Sequence, residues 1–437
     1  MSKIWFNVTT SFNWHGPVVG IVRTEVEILN KLKTIYETQL RLCVFDGLRF
    51  VEISESDYLK KEIPIQSIDL RRNSDLCLKG LKKLKYKLKK GNSIYHLTPK
   101  FFRPLFWKAP PSDRTTHHSV GSVLDVSKVI SIFEKQDVFI TFGADWNDGL
   151  SKYYYHMRGK GVKVISCCYD IIPILMPQCC LHTTANVFKE YFIEVSEGAE
   201  VIMCISKKSR DDLNNILYEL GARIPCLEIM RLGSTHHEEK KDLSMGDSVS
   251  SLLNSEYILY VSTIERRKNH ETLYKVYHRL ISQGKKAKLP KLVFVGMSAW
   301  GVQDLLNDIN NDPLTKDHIL MLGRVNEFEL EQLYKNCLFT VFPSLYEGWG
   351  LGVAESLQHG KFVIASTEGS LPEVGGDLVW YEDPWNVRGW ADKIESLLDS
   401  RELLNSLSQN IENNYKPLTW IDTVEDISRT VNRLLNN

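Results

Sequence analysis

Two glutamates, Glu347 and Glu355, flank a glycine-rich turn in the second half of the sequence. The apolar run 338–342 predicts a buried strand before this turn, and residues 351–359 predict a helix after it. Backbone N–H groups in the first turn of a helix lack internal partners, and the helix dipole favours negative charge there. The segment therefore predicts a pyrophosphate site. The backbone groups expected to hold the phosphates belong to Gly348, Gly350, Leu351 and Gly352.

The two glutamates themselves predict a second kind of contact. A carboxylate beside a phosphate would repel it, whereas a carboxylate beside a hydroxyl accepts a hydrogen bond from it. We therefore expect Glu347 to bind sugar hydroxyls and Glu355 to bind a ribose. This is the layout of a nucleotide-sugar site. The alternative on these residues alone is a structural turn with glutamates that suit a helix start.

Cations follow another predicted strand. The run 257–262 is apolar and β-branched, and Arg267 and Lys268 come shortly after it. A departing nucleoside diphosphate gains negative charge, which two fixed cations would stabilise through charge-assisted hydrogen bonds. The alternative is ordinary surface charge.

The elements that must position these residues alternate along the chain. A length of 437 residues favours two domains of about 200 residues each. Apolar strand-like runs alternate with amphipathic helical runs in both halves, and the pattern restarts after Pro225, which predicts an α/β fold of two doubly wound parallel sheets. We predict domains at 1–230 and 250–418, with a last helix over 419–437 that crosses back to the first domain. Ligands of such sheets bind at the carboxyl ends of the strands, so the site is expected between the domains.

Composition excludes several classes of function. Lys plus Arg and Asp plus Glu both number 54, which gives no indication of a nucleic-acid partner. The nine cysteines lack the spacing of a zinc site or a disulfide framework, and this favours a cytoplasmic location. The N-terminus shows no signal peptide, and no apolar run reaches the length of a membrane span.

The glycine-rich segment also carries a family resemblance. Residues 343–365, followed by 369–377, resemble the E-x7-E signature of retaining GT-B glycosyltransferases of family GT4 (glycosyl transferases group 1). The resemblance implies two Rossmann-like domains that face each other across a cleft. Arg267, Lys268 and Asn269 match the RKN phosphate-binding stretch of that family. No DxD triplet is present, so neither a metal nor another cofactor is expected.

The first half carries weaker parts of the same resemblance. Residues 13–25 resemble the glycine-rich first loop of the family, in which Gly16, Gly20 and Arg23 are expected to face donor phosphate and acceptor. Asp170 follows a strand in a stretch similar to the family's HDLIP, with Tyr169 in place of the histidine. The simpler alternatives are a turn with a surface arginine and a helix-capping aspartate.

The expected function is transfer of a hexose from a nucleotide diphosphate sugar to a saccharide or lipid-linked saccharide, with Glu347, Asp170, Arg267 and Lys268 as the catalytic residues. The donor preference is GDP-mannose, in bacterial polysaccharide biosynthesis of the O-antigen (lipopolysaccharide) or capsule type. Alternatives are an inactive sugar-binding module and a GT-B epimerase or phosphorylase. Residues 78–90 place leucines on one face of a lysine-rich helical pattern, which predicts either peripheral attachment to an anionic membrane or a docked surface helix.

Overall fold

The structure is a computed structural model, and it describes residues 2–16, 18–63, 125–181, 183–234 and 244–436. The lysine-rich pattern at 78–90 lies outside these ranges. The chain divides into a larger unit, residues 1–41 and 133–437, and a smaller unit, residues 42–132. None of the helices in the described ranges has the length and apolar character needed to cross a bilayer.

The strands are β1 (Ile4–Asn7), β2 (Leu40–Phe45), β3 (Phe50–Ile53), β4 (Val138–Thr141), β5 (Lys163–Cys168), β6 (Val201–Cys204), β7 (Cys226–Ile229), β8 (Tyr257–Val261), β9 (Lys291–Val295), β10 (Ile319–Gly323), β11 (Thr340–Phe342), β12 (Val363–Ser366) and β13 (Trp380–Glu382). The α-helices are Thr9–Asn13, Gly20–Tyr36, Glu55–Lys60, Val126–Val129, Tyr154–Lys160, Ile172–Leu175, Thr184–Gly198, Lys207–Glu219, Asp247–Leu252, His270–Ser282, Gln303–Asn311, Glu327–Asn336, Leu351–Gln358, Leu371–Gly375, Val387–Asp399, Arg401–Asn414 and Trp420–Asn436.

The larger unit contains two parallel sheets. In the first, β1, β4, β5, β6 and β7 are neighbours in that order. In the second, the order is β10-β9-β8-β11-β12-β13, the strand order of a dinucleotide-binding fold. Every residue of β1, β4, β6 and β12 is buried, which explains why these strands read as continuous apolar runs. The predicted α/β fold of two Rossmann-like domains is confirmed.

The smaller unit holds a short antiparallel pair. Strand β2, which begins at the end of the larger unit, pairs with β3, and the register sets Val44 opposite Val51. Helix Glu55–Lys60 follows β3 and begins with a capping box, in which Ser54 and Asp57 satisfy each other's backbone N–H groups.

The last helix, Trp420–Asn436, returns to the domain of the first sheet. It packs against helix Gly20–Tyr36. Arg231 donates to both carboxylate oxygens of Asp426, with Nε to Oδ2 at 2.9 Å and Nη2 to Oδ1 at 2.8 Å. The ammonium group of Lys163 donates to the carbonyl of Leu434 at 2.5 Å. The first strand and the last helix of the larger unit therefore belong to the same domain.

Candidate active site

The predicted cations lie at the carboxyl end of β8. Arg267 and Lys268 occupy a short 3-10 turn, Arg266–Lys268, that leads into helix His270–Ser282. Asn269 has a left-handed backbone conformation with φ of 55°. Its side-chain amide donates to the carbonyls of Pro343 at 3.0 Å and Pro384 at 2.9 Å. Asn269 thus ties the cationic turn to the loops that follow β11 and β13.

Glu347 pairs with both cations. Its Oε2 lies 2.9 Å from Nη1 of Arg267, and its Oε1 lies 2.6 Å from Nζ of Lys268. Only 12% of its side chain is exposed. Burial acts to raise the pKa of Glu347, but the charges of Lys268 and Arg267 outweigh it and lower the pKa to about 2. Glu347 is therefore ionised at any physiological pH.

The two cations differ in how firmly their charge is held. Arg267 also donates to Oε1 of Glu265 at 2.7 Å and to the carbonyl of Tyr346 at 2.7 Å. Burial lowers its pKa, yet the carboxylates of Glu347 and Glu265 more than reverse this and the net shift is upward. The pKa of Lys268 is lowered, because burial is only partly offset by the charge of Glu347. Arg267 therefore keeps its positive charge, whereas the positive charge of Lys268 depends on a neighbouring anion.

Asp170 joins this cluster from the first domain. It follows β5, and its Oδ1 accepts a hydrogen bond from the backbone N–H of Ile172 at 3.0 Å. Burial raises its pKa, and the nearby charges of Arg267, Glu347 and Lys268 also act on it. A Cβ placed on Gly348 would lie 2.6 Å from the carbonyl oxygen of Tyr169 and 3.0 Å from Cβ of Asp170. The two domains therefore meet at the glycine that follows Glu347.

The hydroxyl of Tyr169, which stands in the place of the family's histidine, is already engaged. It donates to the carbonyl oxygen of Phe142 at 2.6 Å. Burial raises the pKa of Tyr169 well above its ordinary value. Asp170 is therefore the polar side chain that this loop presents to the cluster.

The helix that follows the glycines starts where the sequence predicts an anion site. Gly350 caps helix Leu351–Gln358 with φ of 103°, a conformation that favours glycine, and it makes no side-chain cap. Leu351 is 39% exposed at the first helical position. The helix begins four residues after Glu347, and its first-turn N–H groups and the positive end of its dipole suit a diphosphate.

Glu355 lies one turn into that helix and is half-buried. Its Oε2 accepts a hydrogen bond from the hydroxyl of Tyr334 at 2.9 Å. The ring of Tyr334 stacks on His359, with centroids 5.0 Å apart and planes 15° from parallel. Tyr334, on helix Glu327–Asn336, was not predicted as a site residue.

Gly16, Gly20 and Arg23 lie in and after the loop that follows β1. Gly16 is exposed, and Gly20 begins helix Gly20–Tyr36 with φ of 56°. The guanidinium of Arg23 lies 6.0 Å from the ring centroid of Trp420, at the start of the last helix. The structure brings together Glu347, Arg267, Lys268 and Asp170, while Arg23 contacts the returning helix. Donor binding by these three residues stays a prediction.

The donor groups at the site suit organic phosphate and hydroxyl ligands. Within the described ranges, no three His, Cys, Asp or Glu side chains are grouped so as to hold a metal ion. The carboxylate of Glu347 is neutralised by Arg267 and Lys268, which leaves it a poor metal ligand in this arrangement. That the reaction needs no metal remains a prediction.

Sequence comparisons agree with this geometry. Residues 248–414 match the family described as "Glycosyl transferases group 1". The serotype-specific mannosyltransferase WbdA of Escherichia coli is 25% identical over 284 residues, which make up 63% of this chain and 34% of WbdA. The O-antigen chain mannosyltransferase B of Escherichia coli is 35% identical over 131 residues, or 30% of this chain and 34% of that protein. The chain thus spans about a third of the length of these relatives.

Solved structures share the whole fold. Anabaena Alr3699/HepE in complex with UDP-glucose gives a TM-score of 0.59 at 15% identity, and the match covers 99% of this chain and 100% of that one. Sucrose-phosphate synthase from Thermosynechococcus elongatus gives a TM-score of 0.57 at 15% identity, over 100% of both chains. Assignment to family GT4 stays a prediction. The segment 248–414 around Glu347 thus matches the group 1 glycosyltransferases, and the two Rossmann-like domains give this chain the GT-B fold.

Proposed function

We propose that the chain transfers a hexose from a nucleotide diphosphate sugar to a hydroxyl of a saccharide or lipid-linked saccharide. The observation that carries the proposal is the contact of Glu347 with both Arg267 and Lys268 beside the start of helix Leu351–Gln358. Arg267, Lys268 and the first-turn N–H groups take the diphosphate, Glu347 takes sugar hydroxyls, and Glu355 takes the ribose.

The proposed chemistry retains the anomeric configuration. Glu347 is assigned to the sugar hydroxyls in this proposal, so the displacement uses no protein nucleophile. The acceptor hydroxyl then attacks from the face that the diphosphate leaves, and its proton passes to the departing phosphate oxygen. Arg267 and Lys268 stabilise the charge that grows on that oxygen. An NMR assignment of the anomeric proton in the product tests this, and inversion would contradict it.

GDP-mannose is the proposed donor. Support comes from the two Escherichia coli relatives, both named mannosyltransferases, while the structural neighbours named with UDP keep uridine donors as the competing choice. Bacterial O-antigen or capsule-type polysaccharide is the proposed product, with the reaction in the cytoplasm.

The test is a panel of nucleotides and nucleotide sugars. A ligand at 100 times its dissociation constant adds about 2.7 kcal/mol of stability, so the matching nucleotide raises the unfolding temperature measurably. Release of nucleoside diphosphate that requires an acceptor supports transfer. Binding of a sugar without release from any donor would instead identify an inactive binding module.

Peripheral attachment to an anionic membrane through residues 78–90 is a separate part of the proposal. It rests on the leucine and lysine pattern of the sequence and on the lipid-linked class of acceptor. Flotation with vesicles containing anionic lipid tests it. We expect binding to be lost when the lysines of this stretch are replaced by glutamine. Absence of binding by the wild-type chain would contradict the proposed membrane attachment.

A further inference from the structure

The first turn of helix Lys207–Glu219, in the first domain, is capped by a residue of the second domain. The carboxylate of Glu373 accepts hydrogen bonds from the backbone N–H of Lys207 at 2.8 Å and of Lys208 at 2.7 Å. The helix's own cap, Ser206, accepts from the N–H of Ser209 at 3.0 Å. Three N–H groups that a helix start leaves without partners are thus satisfied, two of them across the domain boundary.

Residues near the start of helix Lys207–Glu219 also contact the loop that carries Glu347. The buried hydroxyl of Tyr346 donates to Oδ2 of Asp212, whose Oδ1 lies 2.5 Å from the ammonium group of Lys208. That ammonium group also sits 5.7 Å from the ring centroid of Tyr346. On the other side of Glu347, the hydroxyl of Ser209 lies 3.3 Å from the carbonyl oxygen of Gly348. The first domain therefore forms hydrogen bonds with the residues immediately before and after Glu347.

Ser370 links the two contacts within the second domain. Its backbone N–H donates to the carbonyl of Glu347 at 3.0 Å, and its hydroxyl donates to the carbonyl of Trp349 at 2.7 Å. Ser370 also precedes the short helix Leu371–Gly375 that carries Glu373. A continuous path of hydrogen bonds therefore runs from the first domain through Glu373 and Ser370 to the backbone of Glu347.

We propose that Glu373, Tyr346 and Asp212 are positioning residues that couple closure of the two domains to the placement of Glu347 opposite Asp170. The inference rests on the proposed function for its catalytic consequence, but the closure itself does not. A carboxylate is suited to this role because it satisfies two amides at once and meets the positive end of the helix dipole. The hydrogen bonds of the Glu373, Tyr346 and Asp212 side chains described above join the two domains, so their effect on transfer is indirect.

The experiment compares Glu373→Ala and Tyr346→Phe with the wild-type chain. Glu402→Ala is the matched control, because Glu402 is also an exposed acid, in the first turn of helix Arg401–Asn414 of the same domain. Solution X-ray scattering measures the separation of the domains, calorimetry measures the affinity for the nucleoside diphosphate, and donor turnover gives kcat and KM. Glu373→Gln, which keeps one acceptor oxygen, serves as the conservative variant.

We expect Glu373→Ala to enlarge the radius of gyration and to lower kcat by about tenfold to a hundredfold, the loss that a displacement of about 1 Å produces. Nucleoside diphosphate affinity should stay within about twofold of wild type, because the contacts proposed above for the diphosphate, those of Arg267, Lys268 and the first turn of helix Leu351–Gln358, lie within the second domain. Glu373→Gln should give an intermediate kcat. A merely structural role would instead lower the unfolding temperature and the nucleotide affinity together.

Two outcomes overturn the inference. One is a scattering profile and kcat for Glu373→Ala that match those of Glu402→Ala. The other is an additive double-mutant cycle for Tyr346→Phe and Asp212→Asn in kcat, which would show that the pair does not act as a unit. If the wild-type chain turns over no donor, the proposed function fails, while the scattering comparison still decides whether Glu373 holds the domains together.

Discussion

The ammonium group of Lys268 lies 2.6 Å from Oε1 of Glu347, the carboxylate proposed to bind the sugar. Arg267 contacts the other oxygen of the same carboxylate. Glu347, which is proposed to bind the sugar, therefore neutralises the charges of Arg267 and Lys268, which are proposed to bind the diphosphate. A bound diphosphate would compete for these cations and release Glu347 toward the sugar hydroxyls.

Replacement of Glu347 separates the two roles. Glu347→Gln should reduce transfer by at least about a hundredfold, because the sugar loses a charged hydrogen-bond acceptor that is held in place before the reaction. The affinity for the nucleoside diphosphate should be kept or should increase, because Arg267 and Lys268 no longer have a competing anion. Turnover assays and calorimetry check the two parts.

Glu395→Gln is the control for this change, since Glu395 pairs with Lys285 elsewhere in the same domain. It should alter neither quantity. Normal transfer by Glu347→Gln would show that the sugar-binding role is assigned to the wrong residue.

Glu355 is expected to contribute to nucleotide affinity rather than to the chemical step. Glu355→Ala should weaken nucleoside diphosphate binding by about tenfold, the size expected for a hydrogen bond to a charged group. Tyr334→Phe should have a smaller effect in the same direction, because Tyr334 orients the carboxylate through its hydroxyl.

A deoxyribose nucleotide provides the discriminating measurement for Glu355. The wild-type chain should bind it more weakly than the ribose nucleotide, and Glu355→Ala should bind both equally. A wild-type chain that does not distinguish the two sugars would remove the ribose assignment.

Much of this site could be predicted from the sequence, because many of its residues are close together along the chain. The strand, glycine turn and helix around Glu347 form one continuous segment, and the apolar run 338–342 together with the glycines predicted it. The pairing of Glu347 with Arg267 was not predicted, since it joins residues 80 positions apart and depends on the order of β8 and β11 in the sheet.

Contacts between the domains were the least predictable part. Glu373 lies in the stretch 369–377 that resembles the family, but neither its position nor that of Asp212 indicates a contact between the domains. Only the folded arrangement brings these two acids to the first turn of helix Lys207–Glu219 and to Tyr346. The short strands β3, β7 and β13 were also absent from the sequence prediction. None of the three is buried along its whole length, so none reads as the continuous apolar run that predicted the buried strands.

Gly352 is required for space rather than for flexibility. A Cβ at this position would lie 2.4 Å from Cε1 of Phe342, inside the core beneath the site. Gly352→Ala should therefore destabilise the fold by about 1–3 kcal/mol, as overpacking of a core does. Urea unfolding measures this.

Gly159→Ala is the control, because Gly159 lies within helix Tyr154–Lys160 and a Cβ there meets nothing within 4 Å. It should be neutral or stabilising. Combining Gly352→Ala with Phe342→Leu should recover part of the loss. Equal stability of the two single variants would contradict the packing explanation.

Stability should depend on pH through Glu347. Its pKa falls from the ordinary value of 4.5 to about 2 in the folded chain, so on acidification the unfolded chain takes up this proton first. The contribution of the ionised carboxylate is therefore complete above about pH 4.5 and is lost as the pH falls toward 2. Urea unfolding of the wild type and of Glu347→Gln between pH 5 and pH 2.5 should show the difference in free energy of unfolding shrinking with pH. A constant difference would show that the ion pairs do not depress this pKa.

The returning helix Trp420–Asn436 sets an order of events during synthesis. Tyr36, on helix Gly20–Tyr36, donates to the carbonyl of Ser428, 392 positions further along the chain. At 5–20 residues per second, roughly 20–80 s separate the appearance of these two partners at the ribosome. During that interval the outer side of helix Gly20–Tyr36 lacks its native cover, while the whole second domain is being made. Of these two domains, the one that is synthesised first is therefore completed only after the other has been made.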